Sequence, residues 1–521
     1  MYPMTPAANR LFTTDDRVFL QAVLRAGYAN PFTPARVEAE REALDASFVD
    51  GGPAAALTNR RRIASRLRPI LDAARARLAA GVFVEGADVV FYEEACLSFL
   101  RNVHGEGLQP IIDGREPPGA EARVYRALCE DHGRFLCIPG FGLEAPRAPH
   151  VFACAFHLRR AHHYLSTLIG TSRPMQTLRA QVWGAIFTRD LRGYLRSCDR
   201  KRSDVSTLVT GPSGTGKELV AGTLGRSLYK AYDAERGRFV VAEGADYRGV
   251  NLSALSDSLF ESELFGHKQG AFTGALKDRK GILELVGMGG ALFLDEIGDL
   301  ALDRQLKLLR VLEERVFQRV GDTVELPFSA RVISATHQDL DARVRTGELR
   351  LDLYQRLAGL RIVTPSLREQ LDAAPEDLTH LVRFFAERIA DEDAAPGLVE
   401  LAVRHIEERL PRYEWPGNVR ELRDCVGTLH HGGEFMPLDL GGGTEAGQLR
   451  KTAARSSEDP LRSLRLGTLS DDEAAIRYRT HVVALAGNVT DAARRLRLHR
   501  NTVTRSLDLS RLNRWRARRP R

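Results

Sequence analysis

Thr207-Leu-Val-Thr-Gly-Pro-Ser-Gly-Thr-Gly-Lys-Glu218 is the stretch that decides the fold. Its first four residues read as a short strand. That strand runs straight into Gly211-Pro212-Ser213-Gly214-Thr215-Gly216-Lys217, a G-x-x-x-x-G-K phosphate loop. The glycines let backbone N–H groups curl round phosphate oxygens, and the lysine reaches the outer phosphates. The helix that follows points its positive end at them. Position 218 is Glu, where the general motif carries Ser or Thr for Mg²⁺. The loop alone leaves a fortuitous glycine-rich turn open as the alternative.

Downstream, Ala291-Leu-Phe-Leu294 is an apolar run ending in Asp295-Glu296, as a buried parallel strand would. A carboxylate at the carboxyl end of such a strand can hold Mg²⁺, and the next can polarise an attacking water. An acidic pair after a strand is common by chance. An acidic pair following a phosphate loop in a strand–helix alternation implies a nucleotide hydrolase.

Composition sets the frame. At about 100–200 residues per domain, 521 residues imply three or four domains. A chain 43% hydrophobic and 27% charged is ordinary for a globular protein, which excludes a disordered or fibrous class. No apolar run approaches the roughly 18 residues a membrane span needs, and the first residues lack a signal-peptide pattern. Six cysteines are too sparse for a disulfide framework, which favours a reducing, cytoplasmic setting without membrane contact. The net charge of +7 is unevenly spread, because residues 491–521 hold 11 Arg against 2 Asp. Such a basic terminus is either a nucleic-acid arm or a solvated tail, and charge alone does not choose.

Between the two nucleotide elements lies Glu263-Leu-Phe-Gly-His-Lys-Gln-Gly-Ala-Phe-Thr-Gly-Ala275. Its Gly270-Ala271-Phe272-Thr273-Gly274-Ala275 suits an exposed loop tip presenting Phe272, or equally a tight turn burying it. Here the sequence resembles the sigma-54-dependent transcriptional activators, bacterial enhancer-binding proteins of the AAA+ class. The resemblance covers roughly residues 167–430 and the terminal helical unit. It implies that Gly270–Ala275 contacts the sigma factor and moves with the nucleotide.

The family resemblance extends through other stretches in order. Leu168-Ile-Gly-Thr-Ser172 looks like the start of the ATPase domain, and Gly211 to Glu218 like its ATP-binding loop, with Pro212 a departure. Asn251-Leu-Ser-Ala-Leu255 matches the segment whose Asn restrains the catalytic Glu, so Asn251 is implied as a switch. Gly289 to Leu300 resembles the strand supplying Asp295 for Mg²⁺ and Glu296 for water. Leu302, Leu306 and Leu309 in the next helix share one face and are expected in the core. Ser334-Ala-Thr-His337 implies Thr336 and His337 as γ-phosphate sensors, with His337 standing where many relatives have Asn. Arg350 and Arg356 match arginines that reach a neighbour's nucleotide, which implies a homo-oligomer, a hexamer assembled from dimers. Trp415-Pro-Gly-Asn-Val-Arg-Glu-Leu422 resembles the lid motif, with Arg420 on the nucleotide. Residues 232–250 and the segment Leu367–Asp377 are longer than the family pattern.

The C-terminal unit reads as a helix over Asp471–Leu485, a break at Gly487-Asn488, a helix beginning near a Thr490 cap, and a last helix from Arg500. This is helix-turn-helix spacing and resembles the Fis-like DNA-binding unit of many such activators. Arg497 replaces a turn glycine. Arg500, Asn501, Thr502 and Arg505 are candidates for contact with double-stranded DNA, and Val489, Ala493, Leu496 and Val503 for core. Residues 1–165 read as a mainly helical sensory domain. Cys129, His132, Cys137, Cys154 and His157 fit no recognisable metal spacing.

The expected architecture is therefore α/β. Residues 1–165 form a sensory domain, 167–365 an AAA+ P-loop ATPase core and 366–430 a helical lid. A linker over 431–468 leads to a helix-turn-helix domain at 469–510 and a basic tail at 511–521. The function implied is an ATP-driven regulator that binds enhancer DNA and remodels sigma-54 RNA polymerase. Two other readings are a remodelling ATPase with another client and a DNA-binding regulator using nucleotide only as a switch.

Overall fold

The computed structural model describes residues 11–437, apart from short stretches at 82–83, 118, 140, 142, 144–145, 188–189, 198–204 and 241–244. Beyond these it describes residues 476, 479, 482–483, 488–496, 498 and 500–505. The chain divides into two compact units, residues 1–435 and 436–521.

The first unit is built on a five-stranded sheet: β1 (Thr207–Thr210), β2 (Ala245–Asn251), β3 (Val286–Asp295), β4 (Arg331–Thr336) and β5 (Leu360–Val363). The strands are ordered β5-β1-β4-β3-β2, all parallel. β4 is buried at every position, as its continuous apolar pattern requires in a sheet covered on both faces. The order brings the carboxyl ends of β1, β4, β3 and β2 side by side, and Asn251 is in register with Asp295. In open α/β sheets that edge is where ligands sit.

The first 165 residues fold into six long helices: α1 (Thr14–Tyr28), α2 (Pro34–Leu44), α3 (Pro53–Ala79), α4 (Gly86–Gly107), α5 (Glu121–Leu136) and α6 (Ala148–Leu165). Helix α1 starts with a full capping box, Thr13 and Asp16 satisfying each other's backbone N–H groups. The expected boundary near residue 165 is not a break in packing. Cys154, Ala161 and Leu165 of α6 share a core with α7 (Arg173–Phe187), β1 and β4. In the other direction, a two-stranded hairpin (Tyr232–Asp233 with Arg238–Phe239) inserts Tyr232 and Phe239 into the core of the helical region. The Phe239 ring stacks on Phe156 at 3.9 Å and on Phe152 at 5.5 Å. The extra length noted at 232–250 thus includes a hairpin that joins the two regions.

Charge closes the same seam. Glu94 of α4, its side chain only 2% exposed, faces Arg192 at 2.8 Å and Arg196 at 2.5 Å and accepts from the Tyr28 hydroxyl. Both arginines belong to α8 (Leu191–Ser197).

The helices Leu367–Ala373, Asp377–Ile389, Ala395–Arg409 and Asn418–His430 build a separate core around Trp415, Leu422 and Val426. This cluster matches the expected lid. One core expectation fails. In the helix Leu302–Glu314, Leu302 and Leu306 are each 50% exposed, and the buried face is Gln305, Leu308, Leu309, Val311 and Leu312. Gln305 turns inward because its side chain donates to Leu300 O and Glu348 O, both at 2.8 Å.

In the second unit, helices Val489–Leu496 and Arg500–Arg505 pack through Ala492, Ala493 and Val503, with Val489 and Leu496 at the edge. The cap of the first is Asn488, which accepts from Asp491 N at 2.8 Å, so the helix begins one residue before Thr490. Arg500, Asn501 and Thr502 are exposed. Most of Asp471–Leu485, together with Arg497, the side chain of Arg505, the bulk of the 431–468 linker and the 511–521 tail, lies outside the described residues.

Candidate functional site

Residues Gly211–Gly216 link β1 to α9 (Lys217–Arg226) at the edge where the strands end. Gly211 and Gly214 have φ of 151° and 78°, conformations that side chains resist. A Cβ on Gly211 would lie 2.1 Å from Thr364 Oγ1, and one on Gly214 2.1 Å from Gly417 O. Thr215 Oγ1 lies 2.7 Å from Thr364 Oγ1, which braces the loop against the end of β5. Lys217 Nζ donates to Gly211 O and Pro212 O, both at 3.0 Å, from a buried position. Burial pushes the Lys217 ammonium down, while Glu296 and Asp295 push it back up. Glu218 opens α9 in its first turn.

Opposite the lysine sits the acidic pair. Burial first, and then the neighbouring Glu296, push the Asp295 carboxyl above its ordinary range. Two crowded carboxylates facing one lysine are a donor set that suits a hard cation such as Mg²⁺. Glu296 holds a left-handed backbone conformation, φ 54°, which turns its side chain away from the strand. Its carboxylate lies 2.8 Å from His337 Nδ1. Thr336 ends β4, fully buried, and its hydroxyl accepts from Gln338 N at 3.1 Å.

The Asn251 amide oxygen is occupied locally: it accepts from Ser253 Oγ at 2.7 Å and Ser253 N at 3.0 Å, closing an Asx turn. In this structure the side chain in contact with the Glu296 carboxylate is His337, while the Asn251 oxygen closes its own turn. Register explains the difference. Asn251 stands beside Asp295, one position short of the glutamate.

The lid meets the loop through Arg420, expected from the sequence, and through Asn418, which was not singled out there. Asn418 donates from its amide to Ser213 O at 2.9 Å and accepts from Leu367 N at 2.8 Å. Arg420 N donates to Gly214 O at 3.3 Å, and the Arg420 guanidinium reaches Ser213 Oγ at 3.5 Å. Asp377 of the lid, fully buried, accepts from Thr171 N at 2.5 Å and Ser172 N at 3.1 Å, tying the segment before α7 to the lid. Asn418 was visible inside the Trp415–Leu422 motif. Asp377 and Thr364 carried no local signal, because their partners lie far away in sequence.

Phe272 is 45% exposed at the tip of its loop, which selects the exposed alternative. The tip is closed by Gly270 N to Ala275 O at 2.9 Å and Ala275 N to Phe272 O at 3.0 Å. Ala271, Thr273 and Gly274 make up the rest of that turn. The His267 ring meets Phe272 edge-on at 4.9 Å and is itself fixed by Ser262 Oγ at 2.8 Å. Arg350 is paired with Asp352 at 2.8 Å and Arg356 with Glu313 at 3.3 Å, both on the surface. Among the described residues no group of three or more His, Cys, Asp or Glu is arranged to hold a metal, and no helix is long and apolar enough to cross a membrane.

Comparison with known proteins adds a family. Residues 191–363 match the sigma-54 interaction domain, and residues 374–431 match an AAA+ ATPase lid domain. Over this region the chain is similar to the sigma-54 interaction and lid domains of that family. It is 38% identical over 327 residues to the DNA-binding transcriptional regulator NtrC of Proteus hauseri, covering 59% of this chain and 65% of that protein. To the Nif-specific regulatory protein of Herbaspirillum seropedicae it is 40% identical over 262 residues, covering 50% of this chain and 42% of that protein. The chain thus spans less than two thirds of the length of these sigma-54-type relatives. Among solved structures, NtrX from Brucella abortus in complex with ADP matches at 25% identity and a TM-score of 0.37, covering 74% of this chain and 80% of that one.

Proposed function

We propose that this protein is a sigma-54-dependent transcriptional regulator that binds enhancer DNA and uses ATP hydrolysis to remodel sigma-54 RNA polymerase. The observation that carries the reading is an exposed Phe272 loop on the same chain as a phosphate loop facing Asp295 and Glu296. A client-contact element and a hydrolytic site occur together.

In this reading the backbone of Gly211–Gly216 cradles the ATP phosphates, and Lys217 leaves its two loop carbonyls for the outer phosphates. Arg420 and Ser213 close over the nucleotide from the lid side. Mg²⁺, held near Asp295, supplies charge neutralisation at the phosphates. Glu296 orients the attacking water once His337 releases its carboxylate, and Thr336 reports the γ-phosphate position. Arg350 and Arg356 are held by surface carboxylates that a neighbouring subunit's nucleotide can replace, which fits a homo-hexamer built from dimers. Arg500, Asn501, Thr502 and Arg505 read double-stranded DNA from the terminal helix, and a cytoplasmic location suits all three partners.

The test is transcription in vitro from a sigma-54 promoter. Open-complex formation should require hydrolysable ATP and be lost in Phe272→Ala, while Phe272→Ala still hydrolyses ATP. Opening with a non-hydrolysable nucleotide, or with Phe272→Ala, would overturn the reading.

A further inference from the structure

Helices α1, α2, α3 and α4 line a narrow cleft that is partly open to solvent. Its polar lining is Arg36, Glu40, Arg60 and Asn102, set among Val23, Ile63, Leu67 and Phe99. The charges in and around it do not balance. Glu40 is committed to Arg36 at 2.6 Å, and Glu106 to the outward-facing Arg61 at 3.1 Å. Arg159 of α6 is engaged by a neutral group, Gly105 O, at 3.1 Å. Arg60 Nε is buried without a hydrogen-bond partner.

The protonation of the neighbourhood bears out the excess. Burial, and then Arg159 and Arg36, push the Arg60 guanidinium down to about 10. Burial and the same arginines push His162 down to about 4. A guanidinium desolvated beside two others, with an orphaned N–H, is costly unless an anion joins it. Arginine's planar fork matches an oxyanion in two-point geometry.

We propose that this cleft is a binding site for a small oxyanion, a carboxylate or phosphate group, held by Arg60 with Arg36 beside it and the charge of Arg159 close by. The site is separate from the phosphate loop, and its existence does not depend on the proposed function. Its rim continues into the turn between α1 and α2, which is fastened to α7: Asn30 Nδ2 donates to Ala180 O at 2.9 Å, and the Phe32 ring meets Trp183 edge-on at 6.2 Å. An occupant therefore sits one turn away from a helix that packs on the ATPase sheet.

The experiment is arginine modification with phenylglyoxal on the full chain saturated with ADP, which keeps the phosphate loop filled, read by peptide mass spectrometry. Succinate and inorganic phosphate are compared with chloride at equal ionic strength. At least one of the two oxyanions should slow modification of Arg60 several-fold, while Arg61 and Arg62 on the exposed face of α3 react at unchanged rates. The oxyanion that protects identifies the class. Equal modification of Arg60 in all three salts would overturn the site. In a second measurement, Arg60→Met should weaken the thermal-shift response to the protecting anion by at least about tenfold. An undiminished response would overturn Arg60 as the anchor. Should that variant not fold, the protection pattern of the unaltered chain still decides.

Discussion

His337 Nδ1 lies 2.8 Å from Glu296 Oε2, so the carboxylate proposed to orient water is held by the residue just past the end of the neighbouring strand. We expect His337→Ala to release it and raise basal ATP turnover about fivefold, the equivalent of losing one hydrogen bond of ~1 kcal/mol. Steady-state phosphate release checks this. Unchanged or lower turnover would mean that His337 positions Glu296 productively instead of restraining it.

From a buried position with φ 52°, Asn418 donates to Ser213 O of the phosphate loop and accepts from Leu367 N within the lid. Asn418→Ala loses both bonds and puts Ala where a left-handed backbone is needed. Nucleotide affinity should fall about tenfold, in line with one or two lost buried hydrogen bonds. A fluorescent ADP titration reads it, and affinity within twofold of the parent would argue against lid closure through this residue.

Asp377 gives a pH dependence. Its burial favours the neutral acid, yet the hydrogen bonds from Thr171 and Ser172 prevail and hold the carboxyl below its ordinary range. A depressed folded value means that the stabilisation is fully present above the unfolded value, about 3.9, and is lost as pH falls through the folded one. Asp377→Asn should cost roughly 2 kcal/mol at neutral pH and lessen the acid sensitivity of unfolding below about pH 4. Parallel urea–pH unfolding curves for the two proteins would contradict this.

Glu94→Gln removes the carboxylate that Arg192 and Arg196 share across the seam, leaving Arg196 its second partner Glu93 at 3.3 Å. Breaking a buried pair costs several kcal/mol, but both arginines are nearly half exposed, so solvent reduces the expected loss to ~2 kcal/mol. Calorimetry should show a lower Tm. Hydrogen exchange should rise in α4 and α8 together, and a rise confined to either helix would show that the seam is held elsewhere.

The nucleotide half of the site was legible because its chemistry is local: a glycine loop after a strand, and two carboxylates after another. The exposed turn at Phe272 was stated as one of two alternatives, since small residues around an aromatic suit either one. What could not be read depends on distant partners. Leu302 and Leu306 share a helix face with Leu309, but inward hydrogen bonding by Gln305 rotates the helix and leaves them at the surface. Asn488 displaced Thr490 as cap because either can accept from an early helical N–H, and two residues of register decide. Asn251 sat in a motif pointing to Glu296, yet its oxygen closes its own turn.

The interlocked hairpin has a practical corollary. Cutting the chain near residue 166 would strip Tyr232 and Phe239 of their packing and leave the helical fragment with a hole where two rings had been. Neither piece would behave as a well-made module: the ATPase fragment would carry a greasy prong prone to clumping, and the helical fragment would be loosened. A clean detachment of the helices from the sheet would bare both surfaces to water, so the two regions move as one shared body.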